Sequence, residues 1–233
     1  KNFDLMPERV VEECIKSGCT SIAYTYSEPI SFYEYVFDTA KLARTKGIKN
    51  VFISNGYIND EPLKALAPYL DAANINLKSF SDAIYLKLNA GKLQPVLNTL
   101  KTLKENKVWL EITNLVVPSW TDDLDMIKKM CDWLVANGFE ESPLHFSRFH
   151  PMYKLTQLPL TPINILFKAK EIALNAGCKY VYIGNVPIAR TEDTICPSCK
   201  KVLVERRGFA IISNQIENGK CKFCEARING IWL

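Results

Sequence analysis

Apolar residues recur along this chain in two alternating rhythms. The first helical-period stretch runs from Pro7 to Gly18, with Val10, Val11, Cys14 and Ile15 on one face, Pro in the first turn and Gly as the stop. Ile30 to Lys46, Glu61 to Leu70, Gln94 to Glu105, Asp122 to Asn137 and Pro162 to Asn175 read as helices by the same pattern. Between them lie short apolar, β-prone runs: Ser21 to Tyr26, the run from Asn50 that closes on Ser54-Asn55-Gly56, Ala73 to Lys78, Lys107 to Val117, Leu144 to Phe149 and Lys179 to Ile183. The first of these is expected to continue into Ser27-Glu28 and stop at Pro29, which cannot donate to a sheet ladder.

Six predicted strands, starting near residues 22, 51, 75, 108, 144 and 179, thus alternate with helices. A spacing of about 30 residues is that of βαβ units, so the pattern predicts an α/β fold with a parallel sheet and helices outside it. Such a sheet either opens flat or curls into a barrel, and barrels place their sites where the C-terminal strand ends meet. Here those ends are Glu28, Ser54 with Asn55, Asn76 with Lys78, Glu111 with Thr113, Arg148 with His150, and Asn185. Surface turns are polar anyway, so each end alone says little. Lys78 and Glu111 say more, because they sit in or beside apolar strand text, and a charge in a parallel-sheet strand needs a partner or a cavity.

Composition agrees with a globular chain: of 233 residues 48% are hydrophobic and 23% charged. That length suits one large domain, or one domain with an appendage. No apolar run approaches the roughly 20 residues that span a bilayer, and no secretory leader opens the text, so no membrane role is expected and a cytoplasmic location is. The net charge of +4 is unevenly placed. From Cys196 onward there are seven Lys/Arg against three Glu; subtracting them from the totals of 29 and 25 leaves 22 of each sign upstream. A mildly basic tail is a weak signal for nucleic acid, which is not the expected partner.

The tail has its own chemistry. Cys196-Pro197-Ser198-Cys199 and Cys221-Lys222-Phe223-Cys224 are two Cys-x2-Cys knuckles separated by 21 residues. Each short loop can present two thiolates to one tetrahedral Zn²⁺, and four cysteines leave no open position, which points to a structural metal. Iron in a rubredoxin-like site and disulfides are the alternatives. Lys200 and Glu225 stand where Gly is common after a knuckle, and Val202-Leu203-Val204 with Phe209 to Ile212 suggest a small hairpin. Cys14, Cys19, Cys131 and Cys178 read as small, mostly buried side chains.

Several of these strand ends resemble a known family. Ser27-Glu28-Pro29 resembles a variant of the Gly-Gly-Glu element of radical SAM enzymes, which meets the amino group of S-adenosylmethionine. Ser54-Asn55-Gly56 and Asn76-Leu77-Lys78 resemble the Thr-Asn-Gly and Asp-Leu-Lys of the pyruvate formate-lyase activating enzyme group. Leu115 to Pro118 with Asp122-Asp123 and the rim residue His150 are similar to later elements of that group. The text 23–29, 145–151 and 182–185 is nearly that of the radical SAM enzymes of the AmmeMemoRadiSam system, and the likeness covers the whole chain.

The resemblance implies a partial (β/α) barrel of parallel strands over residues 1–190 and a zinc-ribbon-like tail over 191–233. It implies a radical SAM enzyme that uses a [4Fe–4S] cluster and an electron donor to cleave S-adenosylmethionine to a 5′-deoxyadenosyl radical. The substrate is unnamed, a protein among the candidates, and other AmmeMemoRadiSam-system proteins are the implied partners. Glu28 is assigned to the amino end of the cofactor, Asn76 and Lys78 to its carboxylate and ribose region, and Ser54, Asn55 and His150 to the rim. Two departures stand out. Asn76 replaces the usual Asp, so a neutral amide stands where the group has a carboxylate. The Cys-x3-Cys-x2-Cys loop that binds the cluster in the family is absent.

Parallel βαβ logic wants a strand before the first helix, and residue 1 is Lys. The expectation is therefore that the gene encodes, upstream, one more strand followed by the cysteine loop, and that this chain by itself is inactive. Activation of a glycyl-radical enzyme is a second enzyme reading. A non-catalytic barrel whose ribbon binds protein or nucleic acid is the rival of another class.

Overall fold

The computed structural model describes residues 5–232. In chain order they form α1 (Pro7–Lys16), β1 (Ser21–Tyr24), α2 (Tyr33–Thr45), β2 (Lys49–Ser54), α3 (Asp60–Leu66), β3 (Ala72–Asn76), α4 (Asp82–Asn89), α5 (Leu93–Glu105), β4 (Trp109–Val116), α6 (Leu124–Ala136), β5 (Leu144–Arg148), α7 (Ile163–Ala176) and β6 (Val181–Gly184). Five short strands follow: β7 (Thr194–Ile195), β8 (Val202–Arg207), β9 (Ala210–Asn214), β10 (Ile216–Glu217) and β11 (Lys220–Cys221). This is the expected α/β alternation, with three departures.

β1 ends at Tyr24, well short of Pro29. Tyr26 and Ser27 both take left-handed backbone, with φ of 53° and 61°, which no extended strand accommodates. The chain turns there, and Glu28 caps a 3-10 turn at Pro29–Phe32 that precedes α2. The predicted helix 61–70 likewise ends as a 3-10 turn, Ala67–Tyr69, after α3. The third departure is α4, which the sequence pattern does not announce: it is eight residues long and ends on left-handed Ala90.

The chain forms two compact units, one of residues up to Leu77 with Gly91–Glu111, the other of Lys78–Ala90 with Ile112 onward. In the first, β1, β2 and β3 pair in parallel, with Tyr24 opposite Phe52 and Ser54 opposite Ile75. The start of β4 joins them through the Trp109 N–H, which donates to the Asp71 carbonyl at 3.0 Å. In the second unit β4, β5 and β6 pair in parallel, with Ile112 opposite Leu144 and Ser147 opposite Gly184.

Strand burial alternates as βαβ layering requires: Leu110, Ile112, Asn114 and Val116 form the buried face of β4. In the first unit a buried amide fastens the base of the ladder. Asn50 accepts from the Tyr24 hydroxyl at 2.8 Å, and its Nδ2 donates to the carbonyls of Ala40 and Tyr69 at 2.9 Å each. One side chain thereby ties β1, α2 and the turn after α3 to β2, every group satisfied.

The tail folds as an antiparallel sheet, β7-β8-β9, and a hairpin, β10-β11. Cys196, Leu203, Val204, Cys221 and Ile228 make a small core together with Tyr180 of the segment entering β6, and Tyr182 of β6 packs against it.

Candidate functional site

Glu28, Ser54, Asn55 and Asn76 converge in the first unit at the C-terminal ends of the parallel strands. The Ser54 hydroxyl donates to Glu28 Oε1 at 2.6 Å, the Asn55 N–H donates to Oε2 at 2.8 Å, and the Ile30 N–H reaches Oε1 at 3.4 Å. The Ser54 oxygen also accepts the Gly56 N–H at 3.0 Å. Asn76, at the end of β3, donates from Nδ2 to the Ser54 carbonyl at 3.2 Å. Three successive strand ends are thus laced around one half-buried carboxylate. A carboxylate offers about four acceptor directions, and these bonds occupy three of them.

The turn that holds this geometry admits only Gly at 56. Its φ is +72°, and a Cβ there would stand 2.8 Å from Ile75 Cγ2. The Gly56 carbonyl accepts from Thr99 Oγ1 at 2.7 Å, which fixes the turn to α5.

Lys78 and His150 belong to the second unit. Lys78 is half-buried, as expected for a charge beside apolar strand text. Its N–H donates to the Tyr85 phenol at 3.0 Å. Tyr85, on α4, is buried, and burial pushes its phenol up to about 12 although the N–H groups of Lys78 and Ser79 pull the other way. Sequence reasoning missed Tyr85 because it missed α4. The spacing of seven residues between the two was its only trace.

His150 is exposed beyond the end of β5, with Nε2 3.4 Å from the Asn185 carbonyl. Asn185 sits at a φ of 61° and returns its Nδ2 to the Arg148 carbonyl at 3.5 Å. Thr161, also unremarked in the sequence, braces this end: its hydroxyl is bonded to the Val116 carbonyl at 2.5 Å and the Phe149 N–H at 2.9 Å, and its carbonyl accepts Arg148 Nε at 2.9 Å.

The four knuckle cysteines come together as predicted. All four sulfurs lie within 4.8 Å of one another, and the Cys196–Cys224 and Cys199–Cys221 pairs are 3.7 Å apart. A tetrahedron with metal–sulfur bonds of about 2.3 Å has edges of about 3.8 Å, so the set fits one Zn²⁺ or iron ion. All eight cysteines are unbridged in this structure. Lys200 and Glu225 take the left-handed turn that Gly usually supplies, at φ of 62° and 59°. The turn aims the Ala226 N–H at Cys224, holding that thiol down at about 7; the Lys201 N–H meets Cys199, whose thiol is nonetheless raised to about 11 by burial and the neighbouring thiols.

A [4Fe–4S] cluster needs three or four thiolates. Among the described residues the Cys196–Cys224 group is the only set of three or more Cys, His, Asp or Glu side chains arranged to hold a metal. Cys14 is engaged with the carbonyls of Cys19 and Ser21 at 3.5 and 3.8 Å. The strand-end residues therefore do not supply a cluster site, and no step through a cluster follows from them. Among the described residues no helix is long and apolar enough to cross a membrane.

Residues 5–134 match the family model described as the Radical SAM superfamily. An uncharacterized protein of Methanocaldococcus jannaschii is 45% identical over 228 residues, 97% of this chain and 68% of that protein. Pyruvate formate-lyase 1-activating enzyme of Escherichia coli is 26% identical over 179 residues, 76% of this chain and 67% of that protein. Among solved structures, a domain of a pyruvate-formate lyase-activating enzyme from Bacteroides vulgatus superposes with a TM-score of 0.60 at 14% identity, over 70% of this chain and 98% of that one. Streptococcus suis SuiB bound to S-adenosylmethionine superposes with a TM-score of 0.62 at 10% identity, over 80% of this chain and 45% of that one. At these identities the two structures speak for the fold.

Proposed function

Because the chain belongs to the radical SAM superfamily, we propose that its strand-end residues bind S-adenosylmethionine for a radical SAM enzyme of unassigned substrate. The observation that carries this reading is the carboxylate of Glu28, held by Ser54 and the Asn55 N–H with Asn76 bonded behind them. In this reading Glu28 takes the ammonium of the cofactor's methionine part. Charge-assisted hydrogen bonds of this kind are about twice as strong as neutral ones. Asn76 offers an amide to the carboxylate and ribose region, and Lys78 a cation to the same carboxylate. Ser54, Asn55 and His150 line the rim.

Held by Glu28, Asn76 and Lys78, S-adenosylmethionine would supply radical chemistry at the substrate, and the protein would supply binding, orientation and exclusion of solvent. The electron is assigned to a separate donor. The four-cysteine group of the tail is assigned a structural zinc. The Escherichia coli relative is named for activating pyruvate formate-lyase, which favours a second reading in which the substrate is itself a protein. Titration calorimetry with S-adenosylmethionine tests the main proposal. Saturable binding that Glu28→Gln weakens supports it, and absence of binding removes it.

A further inference from the structure

The cysteine-knuckle tail exposes more apolar surface than a metal staple requires. β9 is the outer strand of its sheet, pairs with β8, and is exposed along most of its length. Ile211 is 64% exposed, Ile212 49%, and Phe209, at the hairpin tip, wholly so. An outer strand with open main-chain groups and apolar side chains invites another strand, and natural proteins usually blunt such edges.

The hairpin also stands at an informative place. The Ile183 N–H of β6 donates to the Thr191 carbonyl at 3.1 Å, and Arg206 Nη1 donates to the Glu192 carbonyl and Thr194 Oγ1 at 2.9 and 2.8 Å. These bonds fasten β8 to the loop leaving β6. A cavity of about 520 Å³ lies between that loop, residues 186–192, and Glu205–Gly208 of the hairpin. The loop begins directly after Asn185, whose carbonyl meets His150. The hairpin is thus anchored through β8 beside the loop that leaves the C-terminal end of β6, with β9 on its outer side.

Charge selects the occupant. The tail from Cys196 carries seven Lys/Arg and three Glu, and four thiolates with one Zn²⁺ reduce the excess from four to two. Arg207 is exposed opposite Ala210 of β9, and Lys201 lies over the Phe223 ring at 4.5 Å, whereas Lys222 is already paired with Glu217. Two copies of a basic ribbon would repel. The bulge opposite Glu205–Arg206 also twists the hairpin away from flat stacking with itself. A nucleic acid has no main-chain amides to complete the edge.

We propose that β9 docks an extended, acidic segment of a polypeptide substrate by strand addition and leads it toward the end of β6; this rests on the enzyme reading above. Main-chain pairing supplies affinity in such complexes, and alternate side chains supply specificity. Ile211 and Phe209 are the apolar contacts, and Arg207 reads the acidic residues.

The test pans a random dodecapeptide library against the zinc-loaded chain and measures the enriched peptides by fluorescence anisotropy. Expected are sequences that alternate β-branched and acidic residues, whose affinity Arg207→Glu lowers by about tenfold. Ile211→Asp should lower it similarly, with zinc content and S-adenosylmethionine binding unchanged. Enrichment without acidic bias, binding that ignores both variants, no enrichment, or a single-stranded DNA that outcompetes the peptides would each overturn the proposal. Acidic capture by a chain that fails to bind S-adenosylmethionine would remove the enzyme reading and leave the docking surface standing. Cofactor binding without acidic capture would remove the docking surface alone.

Discussion

Ser54 donates its hydroxyl to Glu28 at 2.6 Å, across 26 residues of sequence and from the end of β2 to the turn that follows β1. The bond does two things: it aims the carboxylate, and it occupies one of the directions that water would otherwise take. Ser54→Ala should leave Glu28 to the Asn55 and Ile30 N–H groups, and S-adenosylmethionine binding should weaken by about 1 kcal/mol. Glu28→Gln removes the charge itself and should cost about 1.5–3 kcal/mol. Calorimetry on both variants checks the order, and equal losses would separate Glu28 from any ammonium.

Lys78→Met keeps much of the apolar stem and removes the cation, so S-adenosylmethionine binding should again fall by about 1.5–3 kcal/mol. Tyr85→Phe acts one step back. It removes the phenol to which the Lys78 N–H donates at 3.0 Å, and should lower thermal stability together with affinity. If Tyr85→Phe changes stability but not affinity, the phenol supports the fold alone.

Tyr85 also makes a pH prediction. Its phenol is raised to about 12 from an ordinary value of about 10. The folded protein therefore holds that proton where the unfolded chain has lost it. The stabilisation is complete below about pH 10 and disappears as pH rises through about 12. Unfolding midpoints measured across this window should fall steeply for the natural chain and less steeply for Tyr85→Phe.

Zinc should be found at one atom per chain by elemental analysis, and strong chelators or Cys221→Ser should remove it. Because Cys221 shares a core with Tyr180, losing the metal should unfold the ribbon and expose this tyrosine at the entry to β6. A small appendage of this kind has too little core to fold unstapled. Tyrosine fluorescence that does not respond to metal removal would show that the ribbon keeps its fold without it.

Asn50→Leu should be among the most damaging changes in the first unit. It leaves the Tyr24 hydroxyl without the partner it now has at 2.8 Å and takes from the carbonyls of Ala40, which keeps its place in the α2 ladder, and Tyr69 the bonds they now accept at 2.9 Å. A buried group left without a partner costs about 1–3 kcal/mol. The urea midpoint of the variant should drop sharply while the zinc content of the tail is kept.

The order of elements was legible from sequence because burial is periodic and local. A strand such as Trp109–Val116 alternates half-buried and buried positions residue by residue, and six such runs between helical stretches specify parallel βαβ units. The metal group was legible too, since a Cys-x2-Cys turn brings its two sulfurs together by itself. The strand ends were legible as a set of polar residues, but only tertiary structure decided what they do to one another. Glu28 reaches Ser54 because Tyr26 and Ser27 turn left-handed and end β1 early, a conformation that neither residue type advertises. Tyr85 meets Lys78 because eight residues of mixed polarity close into α4, too short a stretch for a period to show. The packing of the ribbon core on Tyr180 was hidden for a related reason. Apolar side chains at the base of an outer strand look alike in sequence whether water, a helix or a metal-stapled sheet covers them, and the choice is made by surfaces that meet only after both have folded.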